Sequence, residues 1–234
     1  MITLYQYQSC PFCCKVRALL NFVKQPYEIV EVTPPKNKEL AFTDYNKVPV
    51  LKDVDENGIE KIITESATII EYINNHYAKL PVTEDDKKWT DWVDQKLVHY
   101  LPPLIYPDFK TSRKNFKTIL QSGKLSGFKR AIIGFAGSLV MPKVARKMKE
   151  KHGIVNVEAE FLTAIDKWVD EGLNNQAFYG GEKPSFVDCS VFGVLSSGHQ
   201  LGLVKRAMQH NKYFALWYDK CYPMMSGNSA SNAS

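Results

Sequence analysis

The sequence predicts an α+β protein in two parts, a mixed first third and an all-helical remainder. Three observations carry this expectation. Segments with period-2 alternation, the mark of half-buried strands, fall between residues 2 and 64 and alternate there with helical patterns. A Cys10-Pro11-Phe12-Cys13 motif stands where the first strand gives way to the first helix. Beyond Ala78-Lys79-Leu80-Pro81-Val82, the best linker candidate, apolar residues recur only at helical spacing.

Taken in order, Ile2, Leu4 and Gln6 alternate against Thr3, Tyr5 and Tyr7 as the first strand. Val16, Leu19, Leu20 and Val23 then share one helical face until Pro26 ends it. Tyr27 to Val32 alternates as a second strand, Pro34-Pro35 breaks it, and Lys36 to Tyr45 predicts a short polar helix. A third strand starts at Val48-Pro49-Val50-Leu51, and Asn57-Gly58 is the dipeptide that tight hairpins prefer. Ile59 to Thr64 returns as the fourth strand, and Ser66 to Tyr77 is helical. The order β-α-β-α-β-β-α is the thioredoxin-like layout.

In the second part, Thr83-Glu84-Asp85-Asp86 resembles a capping box. Its helix carries Trp89, Trp92, Val93, Leu97, Tyr100 and Leu101 on one side and is expected to stop at Pro102-Pro103. Asn156 caps a helix with Phe161, Ile165 and Trp168 inward, and Ser185-Phe186-Val187-Asp188 opens another. Two last helices lie near Leu203–His210 and Tyr213–Tyr222, and the Ser/Asn/Ala-rich tail predicts disorder. The expected organisation is a thiol domain over 1–77, a linker over 78–82, a helical domain over 83–225 and a tail over 226–234.

A chain of 234 residues, 44% hydrophobic and 24% charged, can bury a real core. Five cysteines, three of them clustered at 10, 13 and 14, do not make a secreted disulfide framework and suit a reducing compartment. No basic-then-apolar leader precedes the first strand, so the expected location is cytoplasmic. The net charge of +5 is uneven: 110–152 carries 12 Lys or Arg against one acid, Glu150. Such asymmetry points to an anionic partner. Inside that segment, Ala131 to Met141 has no charge and is too short to span a bilayer. A buried helix with small residues for close packing is the first expectation for it. Peripheral contact with an anionic membrane through its basic flanks is the second. Nucleic acid is not expected, because no recognition motif accompanies the charge.

Cys10 lies on a helix N-terminus, where unpaired N–H groups and the positive end of the dipole favour a thiolate. Pro11 suits the first turn, where its missing N–H is not needed. A zinc site would need a second ligand pair, and none follows at metal spacing, so no metal is expected. A structural disulfide is the other alternative, and Cys14 reads as an incidental helix residue.

The layout, with Val48-Pro49, Glu65-Ser66 and the Ser185 box at matching positions, resembles glutathione transferases. Leu4-Tyr5-Gln6-Tyr7, Cys10-Pro11-Phe12-Cys13-x-Lys15-Val16-Arg17, Trp89-x-x-Trp92, Asp166-Lys167-Trp168-Val169 and Met208-Gln209-His210 narrow it. They resemble the membrane-associated prostaglandin E synthase type 2 family. That resemblance implies catalytic roles for Cys10 and Tyr7, a glutathione site at Val48, Pro49, Glu65, Ser66 and Phe12, and a homodimer. It also implies a haem-lining histidine at His99, and the isomerisation of prostaglandin H2 to prostaglandin E2. The family's N-terminal hydrophobic extension and long interdomain insertion have no counterpart in these residues. Two other functions compete: a glutaredoxin-like or cysteine-type glutathione transferase using Cys13 as resolving thiol, and a non-catalytic scaffold binding anionic lipid or protein.

Overall fold

The computed structural model describes residues 1–34, 36–122 and 127–227. Strands β1 (Ile2–Gln6), β2 (Tyr27–Glu31), β3 (Val50–Val54) and β4 (Glu60–Thr64) form one mixed sheet in the order β2-β1-β3-β4. β1 runs parallel to β2 across helix α1 (Pro11–Phe22) and antiparallel to β3, and β3 and β4 make a hairpin. At its turn Asp55 Oδ1 accepts from the Asn57 and Ile59 N–H groups at 2.8 and 2.9 Å, and Gly58 takes φ 79°. The sheet is thioredoxin-like, and the remainder is helical.

Alternation sends the two sheet faces to different covers. Ile2, Leu4, Leu51 and Ile63 join the core that holds Val16, Leu19 and Leu20 of α1 and Ile69, Ile70 and Ile73 of α2 (Ser66–Ile73). On the other face Val32 and Val50 pack with Leu40, Tyr5, Tyr7, Tyr45 and Val48. That cover is the β2–β3 loop, and it corrects the expected helix over 36–45: a single 3-10 turn, Lys38–Leu40, forms there. Asn37 enters the left-handed region at φ 44° and donates to Asn46, local bonds that compete with a helix.

The helical part begins with α3 (Glu84–Trp92), which runs through a π-helical turn (Val93–Leu97) into α4 (Val98–Ile105). Thr83 and Asp86 make the expected capping box. α4 continues through Pro102 and Pro103, where a stop is predicted. Leu101, Pro103 and Ile105 are buried on its inner face, and their packing outweighs two missing amide donors. Then follow α5 (Phe109–Ile119), α6 (Gly127–His152), α7 (Val157–Lys167), α8 (Phe186–Ser196), α9 (Leu203–His210) and α10 (Lys212–Met225). Of the tail expected from 226, residues 228–234 lie outside the described residues, as does Pro35 of the expected strand break.

α8 is the axle of the molecule, with Phe186 to Leu195 buried throughout. Its start is fixed by Asp188, whose carboxylate accepts from Ser185 N–H at 2.8 Å, Tyr179 N–H at 3.0 Å and Trp217 Nε1 at 2.9 Å. Gly193 lets α1 lie directly against it: a Cβ there would meet Lys15 N at 2.7 Å and Cys14 O at 2.8 Å. Buried Lys15 crosses the seam to both carboxylate oxygens of Asp94 at 2.7 Å. The helix bearing the thiol motif is therefore clamped from both sides.

α6 departs from expectation. The uncharged run 131–141 lies in it, yet Ile132, Phe135, Leu139 and Val140 face solvent. Only the small residues Gly134 and Ser138 of that run are buried. No helix among the described residues is long and apolar enough to cross a membrane.

Candidate active site

Cys10 is the N-cap of α1, extended at φ −74° and ψ 123°, with Pro11 opening the helix. Its N–H donates to Tyr7 O at 3.0 Å, and its carbonyl accepts from Cys14 N–H at 2.9 Å. Its sulfur faces the Cys13 thiol and the Phe12 and Cys13 amides. These donors, helped by the Arg17 charge, lower the Cys10 pKa against the opposing effect of burial. Cys13 is fully buried, and burial first, then the neighbouring Cys10, pushes its thiol well up. The pair is thus unequal: Cys10 is the thiol favoured to ionise and Cys13 the one favoured to keep its proton.

A polar network holds the turn from beneath. Buried Gln6 donates to Glu31 Oε2 at 3.1 Å and accepts from Arg17, while Glu31 Oε1 accepts from Gln8 N–H at 2.6 Å. Arg17 also donates to Gln8 O at 2.9 Å and to Cys14 Sγ at 3.0 Å. Cys14 is buried and its pKa raised by burial, which leaves Cys10 as the partly exposed thiol of the three.

The β2–β3 loop supplies the side wall. The Tyr7 hydroxyl donates to Asn37 Oδ1 at 2.7 Å, so its proton is directed there and not at Cys10. Burial raises the Tyr7 pKa against the lowering effect of that hydrogen bond, and it stays a phenol at neutral pH. Tyr45 interacts with both Glu65 and the Cys10–Cys13 pair; burial and the hydrogen-bonded Glu65 carboxylate push it up to about 12. The Val48-Pro49 peptide bond is cis, and neither backbone polar group of Val48 has a hydrogen-bond partner among the described residues. Glu65 caps α2 at φ 64°, a left-handed conformation that costs a non-glycine residue of order 1 kcal/mol or more. Ser66 follows, buried, at the first turn of α2. Phe12 is partly buried against the main core.

Cys10, Cys13 and Tyr7 therefore come together, with Glu65 joined to them through Tyr45. His99 belongs to another cluster. It stacks on His152 at 3.7 Å between ring centroids, beside Lys96 and Lys151, and burial followed by these charges holds its pKa down to about 4. The cavity beside it measures about 10 Å³, room for a water and not for a macrocycle. A haem does not fit at His99. A larger cleft of about 370 Å³, lined by Trp92, Lys96, Tyr100, Glu160, Thr163 and Lys167 among others, shares no residue with the thiol group.

Sequence reasoning assigned no role to Arg17, Gln6, Glu31, Asn37 or Tyr45. Arg17 was within reach: it stands four residues after Cys13, on the same helical face. Asn37 and Tyr45 sit in a loop, where no periodicity marks a residue's direction.

Residues 4–86 match the family model described as Glutathione S-transferase, N-terminal domain. The chain is 28% identical to prostaglandin E synthase 2 of Mus musculus, over 93% of this chain and 68% of that protein. It is 29% identical to prostaglandin E synthase 2 of Danio rerio, over 94% and 70%. Among solved structures, a glutathione S-transferase of Ceriporiopsis subvermispora in complex with glutathione superposes with a TM-score of 0.62 at 18% identity, covering 98% of this chain and 99% of that one. That likeness is one of fold.

Proposed function

We propose that this chain, a glutathione-transferase-superfamily protein similar to prostaglandin E synthase 2, is a glutathione-dependent isomerase of a prostaglandin endoperoxide that works through Cys10. The carrying observation is the asymmetric thiol pair: a partly exposed Cys10 whose pKa is lowered, beside a buried Cys13 whose pKa is raised. Opening an endoperoxide to a hydroxyketone is redox-neutral. A base takes the proton from the carbon bearing one peroxide oxygen, and that electron pair becomes the carbonyl π bond. The O–O bond breaks, and the departing oxygen takes a proton. Cys10 is suited to the first role. Cys13, Tyr7 and Tyr45 are the nearby groups that still hold protons for the second.

Glutathione, when bound, supplies a second thiol beside the reacting bond. The unpaired backbone groups of Val48 fit an extended peptide added at that edge, and the first turn of α2 at Ser66 fits its γ-glutamyl carboxylate. The domain division at 78–82, a homodimer, a cytoplasmic location and peripheral contact of 110–152 with an anionic membrane belong to the same reading. No step runs through haem.

The second reading is a disulfide reductase, favoured by the presence of Cys13 within one helical turn. In it Cys10 attacks a substrate sulfur and Cys13 then displaces the product. The protein ends as a Cys10–Cys13 disulfide, oxidised by two electrons, and the substrate is reduced. Burial of Cys13 and its raised pKa weigh against a second thiolate there. The test is endoperoxide turnover and disulfide reduction measured with and without glutathione for the parent, Cys10→Ser and Cys13→Ser. Isomerase activity that survives Cys13→Ser and disappears with Cys10→Ser supports the proposal. Isomerase activity untouched by Cys10→Ser would sink it.

A further inference from the structure

The face of α6 turned away from the protein runs against the usual pattern of a helix in water. Its protein side is made of small residues: Gly134, Ser138 and Ala145 are buried. Gly137 is tight enough that a Cβ would lie 2.8 Å from the Phe116 ring edge of α5. Its water side carries the large ones: Phe128 is 78% exposed, Ile132 52%, Phe135 50% and Leu139 49%. Their spacing of four, three and four residues puts them on one stripe of about 16 Å. A helix stabilised only by the core of its own protein would show the reverse. Phe109 of α5 extends the stripe, meeting Phe135 edge-on at 6.1 Å, and Arg113 stands over the Phe135 ring at 5.2 Å.

We propose that this stripe docks the protein peripherally on an anionic lipid bilayer, with Phe128, Ile132, Phe135 and Leu139 entering the acyl boundary. Charge complementarity selects this occupant. The stripe lies within the segment that carries 12 cations against one anion, and exposed Lys129, Lys143, Arg146 and Lys147 flank it on α6. A cationic rim around an apolar centre matches anionic headgroups over acyl chains. A second copy of the chain fits badly, since two-fold pairing would face one cationic rim with another. Nucleic acid would meet large apolar side chains at the centre of the surface instead of polar or stacking groups set for bases.

The inference rests on the membrane contact proposed above for 110–152 and names the surface that makes it. Its test is separable from the chemistry at Cys10, because vesicle binding is read without turnover. The experiment is cosedimentation of the full chain with vesicles of phosphatidylcholine alone or with about one third phosphatidylserine, at about 0.05 M and about 0.5 M salt. Binding is expected only with phosphatidylserine and should fall several-fold at the higher salt. The combined variant Ile132→Ser, Phe135→Ser, Leu139→Ser should bind about tenfold more weakly, and Lys143→Glu with Lys147→Glu should lose binding as well. Circular dichroism and thermal melting of the same samples establish that the variants are folded. Absence of binding to anionic vesicles at low salt overturns the proposal, and so does binding that the serine variant retains in full. Sedimentation velocity supplies the remaining outcome: a parent dimer that the serine variant converts to monomer would assign the stripe to a second copy.

Discussion

α1 and α6 use the same twenty amino acids to opposite ends. α1 is 12 residues long and buries seven of them, including a lysine. α6 is 26 residues long and, among its described side chains, buries three, all small. α1 is held by the sheet on one side and by α8 on the other, with Gly193 admitting its backbone and Asp94 taking its one buried charge. α6 rests on α4 and α5 through its small residues and turns its large ones outward. Burial of that completeness serves to fix a position, here that of a sulfur at a helix N-terminus. The outward apolar face fixes nothing inside the protein and is available to something outside it.

The comparison predicts a ladder of effects. The largest belongs to the exposed end of α1. Cys10→Ser should lower turnover by at least about a hundredfold, the range for loss of a positioned acid–base group, and leave the melting temperature nearly unchanged. Cys13→Ala should act through Cys10: with the strongest donor to its sulfur gone, the Cys10 pKa rises. Iodoacetamide alkylation rates followed against pH would reveal it, and an unchanged profile would show that Cys13 does not stabilise the thiolate.

Next come the clamps. Gly193→Ala drives a methyl into the Lys15 backbone, and because backbone cannot rotate aside the helices must part, at a cost of about 3 kcal/mol. Asp94→Ala leaves Lys15 buried and unpaired. Lys15 is already held below its usual pKa by burial and can shed its proton, so the cost is about 2 kcal/mol rather than the upper range for a broken buried pair. Denaturant unfolding measures both. Gly137→Ala on α6 makes a useful contrast, since its obstacle is the Phe116 side chain, which can move. A loss there as large as at Gly193 would break the distinction between a clamped helix and a resting one.

The four strands and their succession along the chain were legible because period-2 alternation and the Pro26 and Asn57-Gly58 breaks act locally. The capping boxes at Thr83 and Ser185 were legible for the same reason, and both form. What could not be read depends on partners far along the chain. Pro102 and Pro103 stay helical because their face is packed. The 36–45 segment stays a loop because Asn37 and Glu39 bond neighbours outside a helix. The exposure of 131–141 is not legible, because hydropathy gives composition and not direction, and the glycines of that run report only which side is buried. At the site, Cys10 and Cys13 were legible from spacing alone, whereas the network through Gln6, Glu31 and Arg17 joins three elements and has no local signature.

A smaller effect tests where α6 is attached at its far end. His99 of α4 stacks on His152 at the end of α6, and its pKa of about 4 lies below the unfolded value near 6.5. The unfolded chain therefore binds the proton first as pH falls. Stability is lost between pH 6.5 and about 4, by about 1 kcal/mol once solvent screening of this half-buried group is allowed for. Melting temperatures at pH 7 and pH 5 should differ less for His99→Gln than for the parent, by roughly 2–4 °C. Equal differences would mean that the stack does not carry the acid sensitivity.

The smallest effect is the most discriminating. Ile132→Ser and Leu139→Ser remove large apolar groups from a helix, a change that in α1 or α8 would cost several kcal/mol. On α6 both side chains already stand half in water, so folding recovers little of their transfer energy and each change should stay within about 0.5 kcal/mol of neutral. Loss of more than that from thermal or urea unfolding of the isolated chain would mean that the stripe is covered by its own protein in solution. Near-neutral stability leaves Ile132 and Leu139 without a role in folding, and what they serve is then a matter of what the protein touches.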